Sequence, residues 1–208
     1  CSQTDTSYQI IKNTIILFVI TLVAGICLGT VHDITLDPIA QAQEAAATKT
    51  YQEVYPDAAS FDEPQELADA VTAAADSISE WGFGKVTIND AKEALDASGN
   101  QIGYLITSTS AESYGGNVQI AVGITNEGEL TGIGFLSISD TPGLGMRAKE
   151  PDFKDQFIGK KAENLEVTKT GASADNQIEA ISGATITSKA VTNATDAAIY
   201  FVANCLAQ

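Results

Sequence analysis

Histidine occurs once among the 208 residues, at His32, and cysteine three times, at Cys1, Cys27 and Cys205, with no CxxC pair and no Cys/His cluster. Such scattered residues leave no ligand set for an iron–sulfur cluster, a structural zinc ion or a CxxCH-attached haem. Ser–His catalysis is excluded on similar grounds, because His32 stands at the end of an apolar segment. Any electrons this chain handles must therefore travel on an organic cofactor. Positive charge is scarce too: 11 Lys and Arg face 27 Asp and Glu, for a net charge of −16. Asp5 and Lys12 cancel within the first 32 residues, so the whole excess belongs to residues 33–208. A surface so acidic excludes nucleic acid as a partner and is repelled by anionic lipid.

What the chain does have is one long apolar run. Thr14–Val31 carries no charge over 18 residues, roughly 27 Å as a helix. Ile10 and Ile11 extend it past Lys12, whose stem can reach the headgroups. The run is long for a signal peptide and no A-x-A site stands cleanly after it, so a retained transmembrane helix over 13–32 is expected, with Cys27 as a small apolar residue within it. Lys12 precedes the span, and His32, Asp33 and Asp37 come after it. That asymmetry puts residues 1–12 in the cytoplasm and the large domain outside. The leading Cys1 is read as the result of methionine removal or of an upstream start, since lipidation directly before a span makes little sense.

Beyond the span, residues 33–80 read as a helical stalk and an approach to the domain proper, 81–208. Pro38 opens an Ala/Gln-rich helix to about Val54, which Tyr55-Pro56-Asp57 breaks. A second helix runs from Pro64 to Gly82. Strands are expected at Lys85–Asn89, Gln101–Ser108, Val118–Asn126 and Leu130–Ser139, the last two joined by a turn at Asn126-Glu127-Gly128-Glu129. A short helix after Pro151 groups Phe153, Phe157 and Ile158 on one face. A strand is expected over Leu165–Thr170, then a polar turn over Gly171–Gln177. The last helix, about Thr187 to Ala207, aligns Val191, Ala194, Ala198, Phe201, Val202 and Cys205. This order predicts an α+β domain, an antiparallel sheet with packed helices.

Three segments carry candidate chemistry. Ser113-Tyr114-Gly115-Gly116-Asn117 precedes a strand, and Asp140-Thr141-Pro142-Gly143-Leu144-Gly145-Met146 comes after one. Glycine-rich turns at strand ends let backbone amides approach a flat ligand, which makes Tyr114 and Gly115 candidates as well as Thr141–Gly145. The third, Glu179-Ala-Ile-Ser-Gly-Ala-Thr185-Ile-Thr-Ser188, puts four hydroxyls (Ser182, Thr185, Thr187, Ser188) around Gly183 and Ala184 at a helix start, where anions are favourably held. Gly143-x-Gly145-x-x-Ala148 nominally fits the dinucleotide fingerprint, but Pro142 and Pro151 leave no room for its crossover helix.

YGGNVQIAVGI, DTPGLGMRAKEPDFKDQFIGK and EAISGATITSKAV, in this order behind one apolar helix, resemble the G subunit of the Rnf complex, an ion-translocating ferredoxin:NAD⁺ oxidoreductase. The related C subunit of the Na⁺-translocating NADH:quinone reductase shares the FMN-binding domain. The resemblance spans essentially the whole chain. It implies FMN esterified through its phosphate to Thr185, with Ser182, Gly183 and Ala184 forming the turn that presents it and Thr187 or Ser188 near the helix cap. Thr141, Pro142, Gly143, Leu144 and Gly145 would lie against the isoalloxazine ring. Glu179 and Asp140 each exchange the acid usual at their position for the other one.

Threonine is a weak nucleophile and no base is arranged here to activate it. The resemblance accordingly implies a separate FAD:protein FMN transferase, and electron relay to and from membrane subunits of the complex. Two other readings stay open at this point: a stand-alone flavinylated protein for extracellular electron transfer, and a flavin-free anchored binding module.

Overall fold

The computed structural model describes residues 2–161 and 164–206. Cys1 and the expected helix end at Ala207 lie outside the described residues. The chain divides into two compact units, Cys1–Ala46 and Ala47–Gln208.

The first unit is helical over its described residues. Helix α1 runs unbroken from Ser2 to Val54, and its stretch from Tyr8 onward is long and apolar enough to cross a membrane. Between Tyr8 and Ile39 its large apolar side chains, among them Leu17, Phe18 and Leu22, face outward. Such a surface suits lipid and is costly in water. Pro38, expected near a helix start, lies inside α1. The helix there forgoes one backbone bond and continues, because apolar and alanine-rich turns on both sides propagate it.

The second unit is an α+β fold around a five-stranded antiparallel sheet in sequential order: β1 (Ser60–Asp62), β2 (Val86–Leu95), β3 (Gln101–Ser113), β4 (Gly116–Thr125) and β5 (Leu130–Ile138). Between β1 and β2 lie helix α2 (Gln65–Ala74) and a 3₁₀ turn at Ile78–Glu80. The expected helix over 64–82 thus stops early, at Ala74. Strand β2 runs well past the expected Asn89, to Leu95, because its polar half is paired on both sides. There Lys92 bridges Asp90 (2.9 Å) and Glu63 (2.6 Å).

Alternation along the central strands builds two faces. Ile106 on β3 and Val118, Ile120, Val122 and Ile124 on β4 join the main core beneath helix α4 (Thr185–Phe201). Ser108 Oγ donates to the α4 carbonyl of Ala194 at 2.9 Å and satisfies that buried hydroxyl. On the opposite face, Leu105 and Ala121 pack against Val54 and Tyr51, the end of α1. That contact is close because the sheet there is lined by small residues. A Cβ on Gly134 would stand 2.5 Å from both Thr50 Cγ2 and Val54 Cγ2. Gly134→Ala is therefore expected to cost about 1–3 kcal/mol by overpacking, read as a lower thermal midpoint of the full chain in detergent.

After β5 the chain turns through Gly145–Lys149, helix α3 (Pro151–Lys154) and a 3₁₀ turn ending at Phe157. Phe153 and Phe157 are buried edge to face, with ring centroids 5.7 Å apart. Ile158 does not share their face as expected. It takes extended backbone (ψ 132°), which ends the helical turn and turns its side chain to solvent. Strand β6 is confined to Glu166–Thr168, and β7 (Gln177–Glu179) pairs with it in parallel at the end of the expected polar turn. Helix α4 then closes the core with Val191, Ala194, Ala198 and Phe201 fully buried; Val202 and Cys205 are half-buried on a terminal π turn.

Candidate functional site

Two four-residue turns face each other beside the start of α4. In Thr141-Pro142-Gly143-Leu144, the Leu144 amide donates to the Thr141 carbonyl at 3.1 Å and Gly143 has φ +76°. Proline at the second position and a left-handed glycine at the third are what a type II turn requires. In Ile181-Ser182-Gly183-Ala184, the Ala184 amide donates to the Ile181 carbonyl at 2.9 Å and Gly183 has φ +80°. The turns touch: a Cβ on Gly183 would stand 3.1 Å from Leu144 Cδ2.

The second turn is fastened to the helix it precedes. Ser188 Oγ accepts from the Ile181 amide and donates to the Ala184 carbonyl, both at 3.0 Å. Ala184 is the residue before α4, and no side chain caps the helix. The first-turn amides of Thr185, Ile186 and Thr187 are therefore available to an anion, with the positive end of the helix dipole behind them.

The four hydroxyls of this segment, equivalent in sequence, have separate roles in space. Thr187 and Ser188 are fully buried and bonded, Thr187 to Asp140 Oδ2 at 2.7 Å. Ser182 is exposed and lines a polar groove on the far side of the turn, with Arg147, Gln156 and Glu179. Thr185 is half-buried, opens into a cleft, and its hydroxyl has no hydrogen-bond partner among the described residues.

That cleft has a volume of about 470 Å³ and is lined by Tyr114, Asp140, Thr141, Leu144, Gly145 and the run Gly183–Thr187. Tyr114, Leu144 and Ile186 are exposed apolar side chains at its walls. A half-open apolar cavity of this size, with an uncapped helix terminus at one end, fits a planar aromatic ligand carrying a phosphate. Of the residues singled out from sequence, Tyr114, Thr141, Leu144, Gly145, Gly183, Ala184, Thr185 and Thr187 are gathered here. Pro142 and Gly143 form the exposed tip of their turn and do not line the cleft, and Ser182 lies in the neighbouring groove.

Sequence reasoning gave no site role to Asp140. Its carboxylate accepts from Ser113 Oγ (2.8 Å), Thr187 Oγ1 (2.7 Å) and the Thr141 amide (2.6 Å), and the Gly115 amide also donates to it. Burial pushes the Asp140 carboxyl up. The hydrogen bonds from Thr187, the Thr141 amide, Ser113 and the Gly115 amide outweigh it and hold the group below the ordinary aspartate range. Gly145 packs directly on this carboxylate, where a Cβ would collide with it. Ile186 was missed as well; an exposed isoleucine inside a run of hydroxyls was the available signal.

The family described as FMN-binding domain matches residues 113–200, and that described as RnfG N-terminal region matches residues 7–54. The chain is 35% identical to the G subunit of the Na⁺-translocating ferredoxin:NAD⁺ oxidoreductase complex of Acetobacterium woodii, covering 94% of this chain and 92% of that one. It is 30% identical to the G subunit of the proton-translocating ferredoxin:NAD⁺ oxidoreductase complex of Clostridium ljungdahlii (92% and 89% covered). It is also 30% identical to the G subunit of the ion-translocating oxidoreductase complex of Methanosarcina acetivorans (94% and 96% covered). Among solved structures, NqrC of Shewanella oneidensis overlaps 53% of this chain and 54% of its own at 19% identity and a TM-score of 0.45. With an RnfG-type N-terminal helix, an FMN-binding domain and relatives matched along nearly their full length, this chain belongs to the RnfG family, the G subunits of ion-translocating ferredoxin:NAD⁺ oxidoreductase complexes.

Proposed function

We propose that this chain is a membrane-anchored electron relay whose FMN is esterified to Thr185 and whose folded domain sits on the extracytoplasmic face. The observation that carries the reading is the Thr185 hydroxyl: unpartnered among the described residues, first in α4, and open to a largely apolar cleft of a size that suits an aromatic ring. When bound, the flavin would supply the capacity to accept and donate electrons one at a time. The residues of the chain do the rest. The α4 amides hold the phosphate charge, Leu144, Ile186 and Tyr114 screen the ring from water, and the two facing turns fix its approach.

Outside the cytoplasm a dissociated flavin is lost by dilution, and an ester removes that loss. Among the described residues no base adjoins Thr185 to activate it, so a separate FAD:protein FMN transferase makes the bond, displacing AMP from FAD. The orientation rests on Lys12 before the apolar run and His32 and Asp33 after it. Neighbouring members of the complex deliver and remove the electrons. Relatives named for sodium and for protons match this chain over similar lengths, and the one membrane-length apolar helix among the described residues cannot by itself form an ion path. Ion coupling accordingly belongs to the partners.

Intact mass of the chain purified from its native membrane tests the reading, with peptide mapping across residues 179–189. The expected result is one FMN increment localised to Thr185. A mass equal to that of the polypeptide alone would overturn it and favour a flavin-free binding module.

A further inference from the structure

Among the residues that line the cleft, Asp140 is the only carboxylate, and no lysine or arginine lines it at all. No ion pair among the described residues involves Asp140. Its charge is offset, among the described residues, by the neighbouring N-terminal end of α4 and by neutral hydrogen-bond donors: Ser113 at the end of β3, the amides of Gly115 and Thr141, and Thr187 in the first turn of α4. These four come from three separate segments, so one carboxylate ties together the β3–β4 turn, the Thr141–Leu144 turn and the helix that carries Thr185. An unpaired charge in a partly dry cavity acts on its neighbours far more strongly than the same charge in water. A surface salt bridge would have cancelled it, and hydrogen bonds from neutral donors do not.

We propose that Asp140 is a positioning residue that also sets a fixed negative charge beside the flavin and thereby holds its midpoint potential low. The inference rests on the reading of the cleft as the FMN site. Two electrons and one proton taken from a reductant leave the reduced ring with a net negative charge. Asp140 disfavours that form relative to the oxidised one, and a lower potential results. The donors have the opposite influence: each one removed leaves the carboxylate charge less offset. Loss of the charge and loss of a donor should then shift the potential in opposite directions, although both weaken the same hydrogen-bonded junction. A merely structural role would shift it the same way in both.

The test uses the full-length chain, co-produced with the transferase, in wild-type, Asp140→Asn and Ser113→Ala forms. Flavin mass increment, thermal midpoint and redox midpoint by mediator titration are measured on each. The expected result is a lower thermal midpoint in both variants, with the flavin potential moved up in Asp140→Asn and down in Ser113→Ala. An unchanged or lowered potential in Asp140→Asn overturns the inference. So does a raised potential in Ser113→Ala, which decides the matter by itself should Asp140→Asn fail to fold. A wild-type chain without the FMN increment instead overturns the assignment of the cleft, and the inference falls with it.

Discussion

Thr185→Ala is expected to abolish covalent flavin completely while leaving the fold in place. Both halves of that expectation come from position. Thr185 is the first residue of α4, its hydroxyl makes no hydrogen bond among the described residues, and it opens into the cleft. Alanine is a better helix former, so removing an unbonded, half-buried hydroxyl should change stability by no more than about 0.5 kcal/mol. Ser182→Ala is the matched control. Ser182 precedes the left-handed Gly183 and lines the polar groove on the other side of the turn, so its loss should leave attachment intact. Thr187 and Ser188 are poor acceptors for the label because both are fully buried and bonded, to Asp140 and to the Ile181–Ala184 turn. In-gel fluorescence of denatured chains, with intact mass, reads the outcome. Fluorescence that survives in Thr185→Ala and vanishes in Ser182→Ala would move the ester to the serine.

Much of this site was legible because the segments that build it have strong local rules. Pro-Gly at the centre of Thr141–Leu144 is a turn in any context, and a cluster of small hydroxylated residues before an amphipathic run marks a helix start. The strands β3, β4 and β5 were similarly plain, since an apolar sequence lying between a helix and another layer alternates or runs continuously. The short pieces were not. Strand β1 is three residues, held by pairing with β2 through Ser60↔Leu95, Phe61↔Ala94 and Asp62↔Glu93 and by Phe61 packing edge to face on Tyr51. No periodicity fits in so few residues. Strand β7 is hidden in the same way, because its parallel partner β6 supplies the order that its own composition lacks.

The role of Asp140 was illegible for a different reason. Its partners Ser113 and Thr187 lie 27 and 47 residues away in sequence, and only the closed fold shows that one carboxylate serves both. The distinction between Thr185 and Thr187 has the same origin. Two residues of one type, two apart at a helix start, point to different sides. Thr187 is buried against Asp140, and Thr185 keeps an open hydroxyl, only because the chain folds Asp140 onto this helix start.

A buried carboxylate further along α4 should govern how stability responds to pH. Asp196 lies on α4, is 4% exposed, and has one hydrogen bond, from the Leu165 amide to Oδ1 at 2.9 Å. Burial raises its carboxyl from 3.8 to about 7, against a smaller opposing effect of the Leu165 amide. Because the folded value lies above the unfolded one, the native state keeps a proton that the unfolded chain has already released. The associated stability is full below about pH 4 and is lost as pH rises through about 7. At about 1.4 kcal/mol per tenfold change in proton affinity, the whole loss is about 4 kcal/mol. Asp196→Asn keeps an acceptor for Leu165 and removes the charge, so its stability should be nearly flat from about pH 5 to about pH 8.5. The new amide has no evident partner, a cost of about 1–3 kcal/mol. The variant is therefore expected to match the wild type within about 1 kcal/mol at about pH 5 and to be the more stable one, by about 2 kcal/mol, at about pH 8.5. Urea unfolding of the full chain in detergent, followed by the fluorescence of Trp81 across that range, measures both slopes. Parallel slopes for the two proteins would mean that Asp196 is ionised throughout, with the Leu165 amide and water reaching it well enough to offset its burial.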